Sequence, residues 1–190
     1  MMKRYHPLLV GLHWLTAAMI LVALLVGGPG LANMENSDPD KMFGLTGHMI
    51  WGLSIGALMI IRLTTRILSK SPQQTESGNV MLNSGARIAH LGLYFLVFAM
   101  VGSGIGIAIS ADLFSIVFSG SGPSLPADFN IFPARIAHGA IASFLLILIG
   151  LHFAGWAYHQ FFLGDHLINR MWFGKRNSPD ELTVQPKTTP

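Results

Sequence analysis

The chain has 190 residues, of which 51% are apolar and only 11% are charged. An average soluble domain is about one quarter charged, so this composition argues against an ordinary soluble protein and favours a membrane protein. The chain contains eight histidines and no cysteine. The missing cysteines exclude disulfides, thiolate metal sites, iron–sulfur clusters and covalently attached c-type haem.

Four apolar stretches are candidates for membrane-spanning helices, which need about 20 apolar residues each. They cover residues 8–27, 48–67, 88–110 and 136–158. The first is followed by Gly28-Pro29-Gly30, which we expect to end the helix. The second contains Arg62 and Arg66, whose side chains would have to extend to the membrane surface. The sequence therefore predicts an all-α, integral membrane four-helix bundle within residues 1–176 and a disordered tail over residues 177–190.

Two segments allow more than one interpretation. The first span follows Lys3 and Arg4, as the core of a secretory signal would, but its apolar run is longer than such a core and lacks an A-x-A cleavage site. Between the third and fourth spans, residues 113–118 are also apolar. We expect that short segment either to lie in the membrane interface or to cap the bundle.

The distribution of charge predicts the orientation of the spans. Ten of the 12 Lys and Arg residues lie on the side of the two termini, and only Lys41 and Arg135 lie on the other side. Cytoplasmic loops carry an excess of these cations, so both termini are expected in the cytoplasm. The net charge of +3 thus reflects membrane topology, and we expect no nucleic acid partner.

Four histidines form two pairs at matching depths in the membrane. His138 and His152 are fourteen residues apart on the fourth span, so they share a face to within about 40° and are separated by about 21 Å along the axis. Counted from the membrane surfaces, the depth of His13 matches that of His152, and the depth of His48 matches that of His138. The sequence therefore predicts an inner site with His13 and His152 and an outer site with His48 and His138.

Paired imidazoles without a nearby carboxylate or thiolate suit the axial positions of a b-type haem. Zinc fits less well, because it usually has three or four protein ligands. An interior hydrogen bond would explain any single histidine, but it explains two depth-matched pairs poorly. Candidate partners for the haem propionates are cations near the two sites: Arg135 outside, and Arg62, Arg66 and Arg87 inside.

Other residues near these sites leave alternatives open. Gly52 and Gly56 would either let a flat cofactor approach the helix or pack two helices together. His90, two residues into the third span, could replace one of the inner ligands. His159 follows His152 by seven residues on the same face. It is placed either to meet a polar headgroup near the inner site or to anchor the helix at the interface.

Taken together, these motifs resemble the prokaryotic cytochrome b561 family. The likeness runs from about residue 5 to residue 175. Its motifs are Gly11-Leu12-His13-Trp14-Leu15, His48, Ala89-His90-Leu91-Gly92, and Gly150-Leu151-His152 fourteen residues after His138. The resemblance implies a cytochrome of the bacterial inner membrane with two haem b groups that exchanges electrons with ubiquinone, often as a homodimer. In a superoxide-oxidising member, the electrons come from superoxide at the outer face.

The resemblance also assigns roles to individual residues. It makes the four depth-matched histidines the ligands of the haem irons, and it associates His159 with the quinone site. The chain departs from the family pattern beside that site, where Leu93 replaces a second histidine and Gln160 follows His159.

Two functions are compatible with these features. The first is an oxidoreductase that takes electrons from superoxide at the periplasmic face and delivers them to ubiquinone. The alternative is the haem b membrane subunit of a larger dehydrogenase, of the hydrogenase or formate dehydrogenase type. A haem-free transporter with a histidine proton relay would need buried acidic partners, which the predicted spans lack.

Overall fold

The computed structural model describes residues 4–69, 80–119, 124–164 and 167–173, and these residues form helices without any strand. The α-helices are α1 (Pro7–Val22), α2 (Gly28–Asn33), α3 (Pro39–Leu68), α4 (Val80–Ser110) and α5 (Pro133–Tyr158). Four helical stretches are long and apolar enough to cross a membrane. The predicted all-α membrane bundle is thereby confirmed. The predicted tail, residues 177–190, lies outside the described residues.

Proline residues begin three of the long helices. Pro7, Pro39 and Pro133 occupy the first turns of α1, α3 and α5, where an amide hydrogen is not needed. Asp38 also caps α3, because its carboxylate accepts a hydrogen bond of 2.9 Å from the amide of Asp40. Helix α3 therefore begins at Pro39, well before residue 48, where the predicted span starts.

The prediction that Gly28-Pro29-Gly30 ends the first helix is wrong. A π-helical turn, Ala23–Gly27, joins α1 to α2, and the amide of Gly28 donates to the carbonyl oxygen of Ala23. The wider turn shifts the hydrogen-bond register just before the proline, which then lies in the first turn of α2 and needs no amide hydrogen. The first span consequently continues through α2.

The long helices pack as two pairs, α1 on α3 and α4 on α5. The two pairs meet mainly where α3 contacts α4. A Cβ atom on Gly56 of α3 would lie only 3.0 Å from Cγ1 of Val101 on α4, so the glycine permits this close approach. Within the described part of the chain, α1 and α5 do not pack closely against each other.

The surface of the bundle is apolar. In the most apolar window of each spanning stretch, at most 22% of the residues are buried within the protein. The outward side chains are therefore in contact with lipid. We call the end that carries the start of α1 and the end of α5 the terminal end, and the opposite end the loop end.

Residues 113–118 cap the loop end. Leu113 and Ile116 are buried, and they form an apolar cluster with Ile107, Ala108 and Ala111 at the end of α4. Met42, Leu45 and Met49 from α3, together with residues that precede and begin α5, pack against the cluster. Of the two alternatives for this segment, the structure shows the cap.

Lys41 joins α2 to α3 at the loop end. Its side chain is buried, with 7% of its surface exposed. The Nζ atom donates to the carbonyl oxygens of Leu31 and Met34, at 2.8 and 2.6 Å. Carbonyl groups at the end of a helix have no partner within the helix, so Lys41 satisfies groups that would otherwise be unpaired.

We expect Lys41→Met to lower the free energy of unfolding by about 1–3 kcal/mol, because it keeps the apolar stem but leaves both carbonyl oxygens without their donor. Thermal unfolding in detergent would measure the change. The control is Lys41→Arg, which retains the charge and several donors and should be less destabilising. Equal stability of the wild type and the methionine variant would contradict the assignment.

Candidate functional site

His48 and His138 face each other near the loop end. They extend from α3 and α5, and both are half-buried. Their ring centroids are 6.2 Å apart, and the ring planes are inclined by 74°. The structure thus brings together the two residues of the predicted outer site, one from each helix pair.

Ser103 on α4 orients the ring of His138. Its hydroxyl oxygen lies 2.9 Å from Nδ1 of His138 and 2.9 Å from the carbonyl oxygen of Met100. Because a carbonyl only accepts, the hydroxyl donates to Met100, and Nδ1 must donate to the hydroxyl. The Nε2 atom of His138 then keeps its lone pair, as a metal ligand requires. Ser103 was not identified from the sequence. The signal that could have indicated its role is a hydroxyl side chain between two glycines inside a predicted span.

Glycines allow close approach to both rings at the loop end. A Cβ atom on Gly27, in the π-helical turn, would lie 3.4 Å from Nδ1 of His48. A Cβ atom on Gly104 would lie 3.4 Å from Cε1 of His138. A Cβ atom at either position would be in van der Waals contact with a histidine ring, so these positions border the pair directly.

Arg135 lies beside the same pair. It is half-buried in the first turn of α5, and a guanidinium nitrogen would be 3.3 Å from a Cβ atom on Gly139. The guanidinium is close enough to interact electrostatically with both His48 and His138. The predicted outer cation is thus positioned at the predicted outer histidines.

Three histidines come together at the terminal end. The rings of His152 and His90 pack edge to face, with centroids 5.1 Å apart and planes inclined by 82°. The Nδ1 atom of His90 donates to the carbonyl oxygen of Ala86 at 2.6 Å, so this ring is tied to its own helix. His13 is close enough to interact electrostatically with both of the other histidines. The structure therefore places His90 in direct contact with a predicted inner ligand.

Buried polar atoms without a hydrogen-bond partner also cluster at the terminal end. They include Nδ1 of His13, Nε of Arg62, the hydroxyl of Tyr94 and Nε1 of Trp156. None of the described residues at the loop end has such an atom. Buried polar groups normally have a hydrogen-bond partner, so this cluster is suited to bind a polar ligand.

The other predicted residues also lie at the terminal end. His159 begins a π-helical turn, His159–Leu163, directly after α5, and its ring contacts that of Tyr158 at a centroid distance of 6.3 Å. Arg66, near the end of α3, and Arg87, in the first part of α4, are exposed. These two cations are therefore at the surface, whereas Arg62 is half-buried.

Residues 167–173 fold over the start of α1. A guanidinium nitrogen of Arg4 donates to the carbonyl oxygen of Phe173 at 2.8 Å. The Nε1 atom of Trp14 donates to the carbonyl oxygen of Met171, also at 2.8 Å. The ring of Trp14 in turn contacts that of His13, with centroids 5.2 Å apart. Sequence reasoning missed this segment, because no local pattern indicates contacts between residues so far apart in the chain.

A sequence model of the prokaryotic cytochrome b561 family matches residues 4–174. The chain belongs to this family. The chain is 27% identical to probable superoxide oxidase CybB of Yersinia pestis, over 179 residues that cover 93% of this chain and 99% of the relative. It is also 27% identical to cytochrome b561 homolog 2 of Escherichia coli K12, over 184 residues that cover 93% of this chain and 94% of the relative. The cytochrome is thus a bacterial membrane protein, and its family implies haem b and electron transfer.

The loop-end pair fits the haem that the family implies. Two imidazole rings that held one iron atom between them would have centroids about 6.2 Å apart, with about 2 Å for each metal–nitrogen bond and about 1.1 Å within each ring. The 6.2 Å between His48 and His138 matches this spacing. The 5.1 Å between His90 and His152 is too short to admit an iron atom. This distance disfavours His90 in place of His13, and the pair of His13 and His152 stays a prediction at the terminal end.

Gly52 and Gly56 differ in their surroundings, which allows a test of the loop-end site. Gly56 packs on α4, whereas a Cβ atom on Gly52, one turn below His48, would meet no other atom within 4 Å. We expect Gly52→Leu to fill the space beside His48 and to prevent one haem from binding. Haem quantification per chain would measure the loss.

The control for that experiment is Gly47→Leu. Gly47 precedes His48 and also has no neighbour within 4 Å of a Cβ atom, but it lies on a different face of α3. This variant should retain its haem. Equal haem content in the two variants would show that Gly52 does not border the haem site.

The segment over α1 can be tested with Trp14→Phe, which keeps an aromatic ring but removes the donor to Met171. We expect residues 167–173 to detach more often and trypsin to cleave faster after Arg170, as followed by mass spectrometry. Trp51→Phe is the matched control, because Nε1 of Trp51 also donates to a backbone carbonyl, that of Met19, at 3.0 Å. Equal cleavage rates in the two variants would contradict the proposed contact.

Proposed function

We propose that the chain is an inner-membrane cytochrome with two haem b groups that carries electrons across the bilayer to ubiquinone, and that superoxide at the periplasmic face is its electron source. The observation that carries the proposal is the iron-compatible spacing of His48 and His138. Family membership supports haem and electron transfer. The relative named as a probable superoxide oxidase supports the electron donor.

The proposed axial ligands come from both helix pairs. His48 and His138 would hold one haem at the loop end, and His13 and His152 would hold the other at the terminal end. Helix α5 supplies a ligand to each site, and its two histidines are about 21 Å apart along the helix. Each haem would therefore connect α5 to a helix of the other pair, across the side of the bundle where α1 and α5 do not pack closely.

When bound, the two haem groups supply one-electron transfer between the membrane surfaces. The chain's own residues hold and orient them. Ser103 keeps the imidazole of His138 in the tautomer whose Nε2 carries the lone pair. Guanidinium groups bind carboxylates well, so the proposed propionate partners are Arg135 at the loop end and Arg62, Arg66 and Arg87 at the terminal end.

The proposed reaction uses two superoxide ions for each quinone. Each superoxide is oxidised to dioxygen and gives up one electron, and the two electrons with two protons reduce one ubiquinone to ubiquinol. The positive-inside distribution supports a cytoplasmic terminal end. His159 is the proposed quinone contact there. The buried Nε1 of Trp156 is a further hydrogen-bond donor for a quinone carbonyl.

A homodimer in the membrane belongs to the same proposal, because the family resemblance implies it. Chemical cross-linking in native membranes, followed by electrophoresis, would test this state. Cross-linked species of twice the chain mass are expected, and monomers alone at full cross-linking efficiency would contradict the dimer.

We expect His138→Ala to lose one of two haems, because its partner imidazole cannot hold the iron alone. Pyridine haemochrome quantification should give two haems per wild-type chain and one per variant chain. The control is His6→Ala, at a histidine that accepts a hydrogen bond from the amide of Leu8 before the first span. That variant should keep both haems. A wild-type protein without haem after adequate supply would overturn the proposal.

The electron donor and acceptor need a separate measurement. Superoxide generated enzymatically should reduce the haems of the isolated wild-type protein and, when ubiquinone is added, should yield ubiquinol. His138→Ala should fail in this reaction. A haem-loaded protein that does not respond to superoxide but purifies with a dehydrogenase would favour the membrane-subunit alternative.

A further inference from the structure

Arg62 occupies a special position on α3. It follows His48 by fourteen residues, which is also the spacing between His138 and His152 on α5. Arg62 therefore shares the face of His48 to within about 40° and lies about 21 Å farther along the helix. On α3, an arginine thus stands at the depth where α5 has its second histidine.

Tyr94 on α4 holds this arginine inside the bundle. The guanidinium carbon of Arg62 lies 5.3 Å from the centroid of the Tyr94 ring, a cation–π contact. The Nε atom of Arg62 and the hydroxyl of Tyr94 are both buried and lack a hydrogen-bond partner. Two polar groups on adjacent helices are therefore available to a ligand between them.

The terminal end lacks described acidic residues that could neutralise Arg62. All the acidic residues that the structure describes lie at the loop end: Glu35, Asp38, Asp40, Asp112 and Asp128. Arg62 is also close enough to interact electrostatically with each of the three terminal-end histidines, His13, His90 and His152. Its positive charge therefore acts on the whole terminal-end site.

The loop end has a different electrostatic environment. Its two described cations, Lys41 and Arg135, lie at the same end as all five described carboxylates, so negative charge is in excess there. Charges near the membrane surface are screened by water and salt, whereas a charge inside the bundle acts through a medium of lower dielectric constant. A haem at the terminal end would therefore experience the stronger positive field.

We propose that Arg62, held by the ring of Tyr94, raises the reduction potential of the terminal-end haem above that of the loop-end haem. This inference rests on the proposed function. Iron held by two neutral imidazoles loses one unit of positive charge on reduction, so a nearby cation favours the reduced state. The reduction potential also rises if Arg62 acts by neutralising a haem propionate. With both haems bound, one electron would pass from the loop-end haem, which would be oxidised, to the terminal-end haem, which would be reduced.

The test is a redox titration of the purified, haem-loaded Arg62→Gln variant, followed by visible absorption and by electron paramagnetic resonance. We expect the midpoint potential of one haem to fall by about 59 mV or more, a tenfold change in a one-electron equilibrium. Repeating the titration in the His138→Ala background, which retains the terminal-end haem, identifies the haem that shifts. Arg62→Lys keeps the positive charge, so the midpoint potential of this variant should stay close to that of the wild type.

Three further variants separate this positioning role from a general effect on charge or folding. Arg170→Gln removes the same charge from another half-buried arginine at the terminal end, one without a proposed haem contact, and should shift the potential less. Tyr94→Leu removes the ring that holds Arg62 and should lower the potential, whereas Tyr94→Phe keeps the ring and should change it less. If Arg62→Gln does not retain haem, the comparison of the two Tyr94 variants decides the question.

The outcomes are distinguishable from those that test the proposed function. Unchanged potentials in Arg62→Gln with both haems retained would overturn this inference and leave the diheme cytochrome intact. An equal shift in Arg170→Gln would overturn it as well, because the position of Arg62 beside Tyr94 would then have no special effect. A wild-type protein without haem would instead refute the proposed function itself.

Discussion

The approach of imidazoles from two separate helix pairs is the constraint on which the proposed haem site depends. Helices α1 and α3 form one pair, α4 and α5 form the other, and the two pairs meet mainly where α3 contacts α4. His48 and His138 face each other between the pairs at 6.2 Å. A metal held by one imidazole from each pair would join them without burying any carboxylate, whose charge would be costly inside a membrane.

The two ends of the bundle differ in their polar groups. At the loop end, an apolar cap closes the bundle, and Ser103 satisfies the imidazole of His138. At the terminal end, buried donors of Arg62, Tyr94 and Trp156 have no hydrogen-bond partner. Among the described residues, the loop end therefore has no fully buried polar atom without a partner, whereas the terminal end has groups suited to an additional polar ligand. This asymmetry gives the two proposed haems different electrostatic surroundings.

Sequence reasoning was most successful where helical geometry alone decides the outcome. A fixed rise and rotation per residue place His138 and His152 on one face at two depths, whatever the helix packs against. It was less successful at the helix ends. The π-helical turn before Pro29 allowed the first helix to continue, and the capping by Asp38 started α3 at Pro39. Both effects depend on hydrogen bonds that hydropathy does not report.

The sequence by itself determined that this is an all-α protein with four helices able to span a membrane, and its motifs already resembled the family to which the chain belongs. These properties follow from local hydropathy, helical periodicity and short motifs. Only the tertiary structure decided which side chains meet. The contacts that no local pattern encodes are those of Ser103 with His138, His90 with His152, Tyr94 with Arg62, and Trp14 with Met171. Each joins residues from different segments of the chain, and their distances depend on how the helix pairs pack.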